Sequence, residues 1–191
     1  MKKVLVPVVA LMLSVFAVGC GGKKVVESAP MVPNAPEWVN KGSGAFGDVD
    51  GKKVFYGVGM VSGVQNRALA IQSADQRARA EIAKSLDNYV AVLNKDYMAS
   101  TTAGTMDKSS EEQDISVTLK GFTKFTLQGA VIVDHYMEPA SNTIYSLAKL
   151  DMAAVQQTLS DAKELDAKVR DFVRANAAKS FDELSAEEAK H

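Results

Sequence analysis

Residues 56–63 read YGVGMVSG, and they join a short apolar run, Lys53–Met60, to a long segment rich in alanine. The run is rich in β-branched and aromatic residues, which predicts a strand. Beyond it, apolar residues recur at steps of three and four, which predicts one face of an amphipathic helix of about ten turns. These residues are Ile71, Ala74, Ala78, Ile82, Leu86, Tyr89, Leu93 and Tyr97. Ser62 and Gln65 stand at capping-box spacing, which predicts the start of this helix.

The glycines of this stretch raise the alternative of a phosphate-binding loop. A dinucleotide fingerprint reads G-x-G-x-x-G and has an acidic residue about twenty positions on. Here Gly57, Gly59 and Gly63 are spaced G-x-G-x-x-x-G, Asp75 and Asp87 bracket the acidic position, and the loop holds no lysine. We therefore interpret the glycines as architectural, since they let a strand bend and a helix approach it closely. No nucleotide and no other cofactor is expected.

The sequence pattern in the second half of the chain predicts a β-hairpin, and it predicts a further helix that precedes this hairpin. Ala130–Met137 and Thr143–Leu150 are apolar, β-branched runs joined by a short polar turn. Ile115–Leu127 carries both the alternation of a strand and the spacing of a helix. Ser109 and Glu112 stand before it at capping-box spacing, which favours the helix.

From Asp151 onward the apolar residues return to helical spacing, which predicts a C-terminal helix. They are Val155, Leu159, Ala162, Leu165, Val169 and Phe172. Ser180 and Glu183 form a last capping box, which predicts a short polar terminal helix. Together these elements predict an α+β fold, in which a small sheet of about three strands, some of them antiparallel, packs against a long N-terminal helix and further helices.

The apolar stripe of the C-terminal helix is longer than a three-stranded sheet can readily cover. Part of it, at Val169, Phe172 and Val173, is therefore expected to meet another chain or to pack on the long first helix. We favour a partner-binding surface because the chain turns polar from Ala175 onward, which leaves these apolar residues at an edge.

The amino terminus has the pattern of a secretory signal. Met1–Lys3 is positively charged, Val4–Val18 is nearly all apolar, and the chain's only cysteine, Cys20, follows Gly19. This junction resembles a bacterial lipobox, which implies diacylglycerol on the Cys20 thiol and an acylated amine. The alternative is an ordinary secreted protein with a chance cysteine near its cleavage site. Gly21 after the cysteine resembles Gram-negative lipoproteins of the outer membrane, and either the periplasmic face or the cell surface remains open.

Charge and composition describe one domain behind this anchor. Removing residues 1–19 takes away two lysines and no acid, which moves the formal charge from −1 to −3. Such a chain has no basic footprint for nucleic acid. We predict a signal peptide at 1–19, a lipidated cysteine and flexible tether at 20–34, one α+β domain at 35–178 and a polar tail at 179–191.

Residues with catalytic or metal-binding chemistry are sparse. His135 stands beside Asp134 on a predicted strand, and the other histidine is His191, so neither a zinc site nor a Ser-His-Asp triad is indicated. Lipidation of Cys20 would leave no thiol for catalysis, disulfides or metals. We therefore predict that the chain is not an enzyme. Trp38, at the junction of tether and domain, either covers the core as a lid or contacts a partner, and we favour the lid.

Several short stretches resemble the Lpp-twenty family of outer-membrane lipoproteins. They are Cys20, PEWV at 36–39, FYGVG at 55–59, ADQRARAEIAKSL at 74–86, the segment 129–134 and the run 145–150. The resemblance implies an α+β domain without known catalysis that acts in envelope or flagellar assemblies through protein contacts. We thus expect a lipid-anchored structural or partner-binding protein, which contacts partner proteins or copies of itself. A periplasmic carrier of small ligands, with an apolar pocket between helix and sheet, is the alternative.

Overall fold

The computed structural model describes residues 31–47, 50–101, 129–163, 165 and 167–190. Four helices belong to this part of the chain: α1 (Glu37–Lys41), α2 (Arg67–Thr101), α3 (Met152–Asp161) and α4 (Ala167–Glu188). Its strands are β1 (Gly44–Gly47), β2 (Lys53–Val61), β3 (Val131–Glu138) and β4 (Thr143–Asp151). They form one antiparallel sheet in the order β1-β2-β4-β3, which confirms the α+β class. The strand missing from the prediction is β1, which has four residues and two glycines and therefore carries no periodic signal.

The register of β2 against β4 decides which side chains face α2. Phe55 pairs with Leu150, Gly57 with Ala148 and Gly59 with Ser146, and successive residues of a strand point to opposite faces. These pairs lie on the face that α2 covers, which we call the inner face. Tyr56 and Leu147 therefore belong to the other face, called the outer face below.

Helix α2 lies on the inner face through the residues that periodicity predicts. Of the eight predicted positions, Ile71 and Tyr97 at the two ends are partly buried. The six between them are buried: Ala74, Ala78, Ile82, Leu86, Tyr89 and Leu93. The helix begins later than predicted, because Asn66 rather than Ser62 is its N-cap. The Asn66 side-chain oxygen accepts a hydrogen bond from the Leu69 N–H at 3.2 Å, as an N-cap does.

The C-terminal segment is two helices, so the single predicted helix is wrong. The chain turns between α3 and α4, where Ala162 and Leu165 are buried. Arginines of α4 satisfy carbonyl groups at the end of α3: Arg170 donates to the Ala162 oxygen and Arg174 to the Ser160 oxygen, both at 3.2 Å. These hydrogen bonds from the next helix satisfy the free carbonyl groups at the end of α3. The sequence has no glycine or proline near this position from which the end of α3 could be predicted.

The polar tail predicted at residues 179–191 is also wrong, because α4 continues to Glu188. Ser180 is fully buried inside this helix and donates to Asp96 on α2 at 2.9 Å, so it caps no new helix. Phe181 and Leu184 are buried as well. Near the end of α4, Glu188 accepts a hydrogen bond from the Ala45 N–H of β1 at 2.7 Å, which joins the last turn of the helix to the edge of the sheet.

The main core lies between the inner face, α2 and the two C-terminal helices. At its centre Phe55 packs edge-on against Tyr89 and Phe181, with ring centroids 5.7 and 5.1 Å apart. The Tyr89 hydroxyl donates to the Ala177 carbonyl of α4 at 3.2 Å, so its one polar atom is satisfied in the core.

The remaining predictions on element positions concern the hairpin, the tether and segments outside the described residues. The hairpin between β3 and β4 is confirmed, and Asn142 in its turn adopts φ 52°, a left-handed conformation that asparagine tolerates. Met31–Asn34, predicted as tether, is in part tied to the domain, because the Asn40 side chain hydrogen-bonds both backbone groups of Val32. The predicted helix at Ile115–Leu127, the signal peptide and Cys20 lie outside the described residues.

Candidate functional site

The glycines of the YGVGMVSG stretch serve the contact between β2 and α2. A Cβ atom on Gly57 would lie 2.0 Å from the Ala78 carbonyl oxygen, and one on Gly59 would lie 2.1 Å from that of Ala74. Only a residue without a side chain fits there, because the obstacle is helix backbone that cannot rotate away. Gly63, in contrast, is exposed and has φ 76° in the loop between the two elements. The architectural interpretation of Gly57 and Gly59 is therefore confirmed.

His135 lies in a small polar cluster at the edge of the inner face. Its Nε2 is 2.7 Å from Asp75 Oδ1, and the Ser146 hydroxyl donates to the same oxygen at 2.7 Å. The three residue types are those of a hydrolase triad, but the order differs. In a triad the histidine stands between serine and carboxylate and takes the serine proton. Here Asp75 stands between the other two, and Ser146 is fully buried, so the arrangement joins α2 to β3 and β4 and exposes no nucleophile.

The three residues predicted as a partner-binding surface belong mainly to the core of this chain. Val169 and Val173 are 2% and 0% exposed. Phe172 is half-buried and packs edge-on against Tyr97 of α2, with ring centroids 5.2 Å apart. Of the two predicted alternatives, the structure has the stripe packed on the long first helix. The reason is that α3 ends at Asp161 and α4 packs on α2, which places the apolar stripe inside.

The outer face of the sheet carries the feature that sequence patterns did not predict. Helix α1 lies over it, and Trp38 donates from its indole Nε1 to Asp134 Oδ2 of β3 at 2.9 Å. Trp38 therefore covers the outer face and not the main core. Between α1 and the sheet is a cleft of about 350 Å³, which we call the α1 cleft. Its lining is Glu37, Trp38, Lys41, Gly42, Phe46, Gly47, Tyr56 and Leu147.

Aromatic residues continue along the outer face beside this cleft. Tyr145 and Tyr136 are cross-strand neighbours whose ring centroids lie 6.1 Å apart. Burial raises the pKa of Tyr145, and the nearby Glu138 and Tyr136 raise it further. The alternation of apolar and aromatic residues in β2 and β4 was the available signal for a second covered face, since a strand with only one covered face has polar residues at every other position.

Membrane-spanning helices and metal-binding clusters are both absent from the described residues. None of the described helices has the length and apolar character needed to cross a membrane. Within the same residues, no three side chains of histidine, cysteine, aspartate or glutamate are grouped so that they could hold a metal ion.

Comparison with known proteins adds no relative. No family model matches the chain, and no curated protein matches it.

Proposed function

We propose that this chain is a lipid-anchored lipoprotein of the outer membrane and a structural or partner-binding component of the cell envelope. The observation that carries the proposal is the position of Cys20. It is the only cysteine of the 191 residues, and it directly follows a positively charged start, an apolar run and a small residue. Acylation at two positions of one residue would hold the protein firmly, whereas a single acyl chain binds a membrane only reversibly.

Kinship with the Lpp-twenty family is part of this proposal, and it rests on the short stretches named above. An envelope or flagellar assembly is the setting that the resemblance implies. The stretches FYGVG and ADQRARAEIAKSL have a clear structural reason in this protein, because they form the two sides of the contact between β2 and α2.

The geometry of the domain supports a role through its surfaces. A carrier of small ligands would need an apolar cavity between helix and sheet. Gly57 and Gly59 bring the α2 backbone against β2 so closely that not even a methyl group fits between them. The buried position of Ser146 and its hydrogen bond to Asp75 also support a function without catalysis.

Removal of the Cys20 thiol tests the proposal. In cells labelled with a radioactive fatty acid, the parent chain should incorporate the label, and Cys20→Ala should not. The variant should also leave the outer-membrane fraction or remain as an uncleaved precursor. Ser28→Ala, a similarly small change in the tether, should keep both the label and the membrane location. Fatty-acid label on the Cys20→Ala chain would contradict the lipoprotein proposal.

A further inference from the structure

The α1 cleft has the composition of a site for an organic cation. Leu147, 8% exposed, forms its floor, and the half-buried rings of Trp38, Phe46 and Tyr56 line it. The faces of aromatic rings carry negative electrostatic potential and attract ammonium groups. The exposed carboxylate of Glu37 lies in the same lining and adds a full negative charge.

The rings are held in position by neighbouring groups. Phe46 and Tyr56 lie on adjacent strands with their ring centroids 6.1 Å apart and their planes at 35°. Trp38 is oriented by its hydrogen bond to Asp134, so its indole cannot turn away from the sheet without losing that bond. A site with fixed rings loses little conformational entropy when a ligand binds.

An ammonium group is already present at this site. The Nζ atom of Lys41, on α1, lies 4.4 Å from the centroid of the Phe46 ring. This distance is inside the range of about 6 Å within which cation–π attraction operates. Lys41 is an exposed side chain one helical turn after Glu37, so it can leave the ring and be solvated when another ammonium takes its place.

We propose that the α1 cleft binds a lysine side chain of a partner protein, and that Lys41 is the internal occupant which this lysine displaces. The alkyl stem of the ligand would lie along Leu147, and its ammonium would contact the rings and Glu37, as long amphipathic side chains commonly do. A lipid headgroup is a poorer fit, because its phosphate would approach the carboxylates of Glu37 and Asp134. We assign the lysine to a protein because of the partner-binding role proposed above. Whether the cleft binds a lysine side chain can be tested without any partner protein.

Trp38 provides the assay, because it is the only tryptophan of the chain. The full chain, purified in a non-ionic maltoside detergent, is titrated with N-acetyl-lysine methylamide while tryptophan fluorescence is recorded. N-acetyl-norleucine methylamide, which has an alkyl side chain without the ammonium, is the matched neutral probe. A saturable fluorescence change is expected with the lysine probe and none with the norleucine probe.

Variants then test the roles of individual residues. Lys41→Gln should lower the dissociation constant of the lysine probe, because the probe then has no internal ammonium to displace. The expected change is about two- to fivefold, which corresponds to the strength of cation–π attraction at exposed sites. Tyr56→Leu and Glu37→Gln should both raise the constant. Lys84→Gln is the control, because Lys84 is a 69% exposed lysine on α2, which covers the opposite face of the sheet, and it should change nothing.

Several outcomes would overturn the proposal. An equal response to the norleucine probe would mean a merely apolar cleft. If Glu37→Gln leaves the dissociation constant unchanged, the probe binds elsewhere. This test holds even if Tyr56→Leu fails to fold, because Glu37 is exposed and its substitution leaves folding intact. Binding of glycerophosphoethanolamine as tight as that of the lysine probe would assign the cleft to a lipid headgroup. Loss of probe binding would leave acylation of Cys20 intact, so this proposal and the proposed function can fail separately.

Discussion

A methyl group added at Gly59 tests the contact on which the fold depends. In Gly59→Ala the new Cβ atom would lie 2.1 Å from the Ala74 carbonyl oxygen and 2.3 Å from the Ala78 amide nitrogen. Ordinary contact distances begin near 3.4 Å. Both obstacles are backbone atoms of α2, so no change of rotamer relieves the overlap, and the helix must move away from β2 by about 1 Å.

The size of the effect follows from that displacement. A gap of about 0.5–1 Å forfeits a quarter to a half of the dispersion attraction of the atoms on either side. The contact includes buried side chains on both elements, among them Phe55 and Ile82. We expect a loss of about 3 kcal/mol or more, at the upper end of the range for overpacked cores. In urea this would lower the unfolding midpoint by about 1–2 M.

Unfolding in urea, followed by far-ultraviolet circular dichroism, measures this effect. Gly47→Ala is the matched control, because a Cβ atom at Gly47 would have no atom within 4 Å and its φ is not positive. Its unfolding free energy should change by less than about 0.5 kcal/mol. Gly129→Ala should fall between the two, since its Cβ would meet only the end of the Leu150 side chain at 3.3 Å. Equal midpoints for Gly59→Ala and Gly47→Ala would refute the reasoning.

Two further predictions concern α4 and its contact with α2. Ser180→Ala should lower the unfolding free energy by about 1–2 kcal/mol, because Asp96 loses a hydrogen bond in a part-buried position. Glu183→Ala, on the exposed side of α4, is the control and should change the unfolding free energy by less than about 0.5 kcal/mol. Equal effects of the two variants in urea unfolding would contradict the burial of Ser180. Burial raises the pKa of Tyr89 above its ordinary value near 10, so Tyr89 ionises at a lower pH in the unfolded chain than in the folded one. The unfolding free energy should therefore fall as the pH rises above about 10, by up to about 1.4 kcal/mol per pH unit. Tyr89→Phe should make this alkaline loss less steep, measured by urea midpoints from about pH 8 to pH 11, and an unchanged slope would exclude Tyr89 as its source.

Local sequence patterns predicted those parts of the fold that depend on residues close together in the chain. The buried face of α2 could be read from residues three and four apart, because a helix brings such residues to one side whatever it packs against. The hairpin of β3 and β4 was visible for a similar reason, since a short turn between two apolar runs leaves few other pairings. The glycines of β2 were recognisable as architectural, although the sequence did not name their partners Ala74 and Ala78.

Long-range contacts decided the features that the patterns missed. The break after α3 is stabilised by Arg170 and Arg174, which come from the next helix, so the periodic stripe continues through it without interruption. Ser180 and Glu183 imitate a capping box, but burial against Asp96 gives Ser180 another role.

The amino-acid sequence by itself determined the α+β class, the faces of the long helix and the absence of a nucleotide fingerprint, because these follow from local periodicity, composition and spacing. Only the tertiary structure decided that Val169 and Val173 are core residues, and that Trp38, Phe46, Tyr56 and Leu147 share one cleft. These last four are brought together by the register of three strands and the docking of α1. The register is set by the packing of the whole sheet, to which residues far apart in the chain contribute at once.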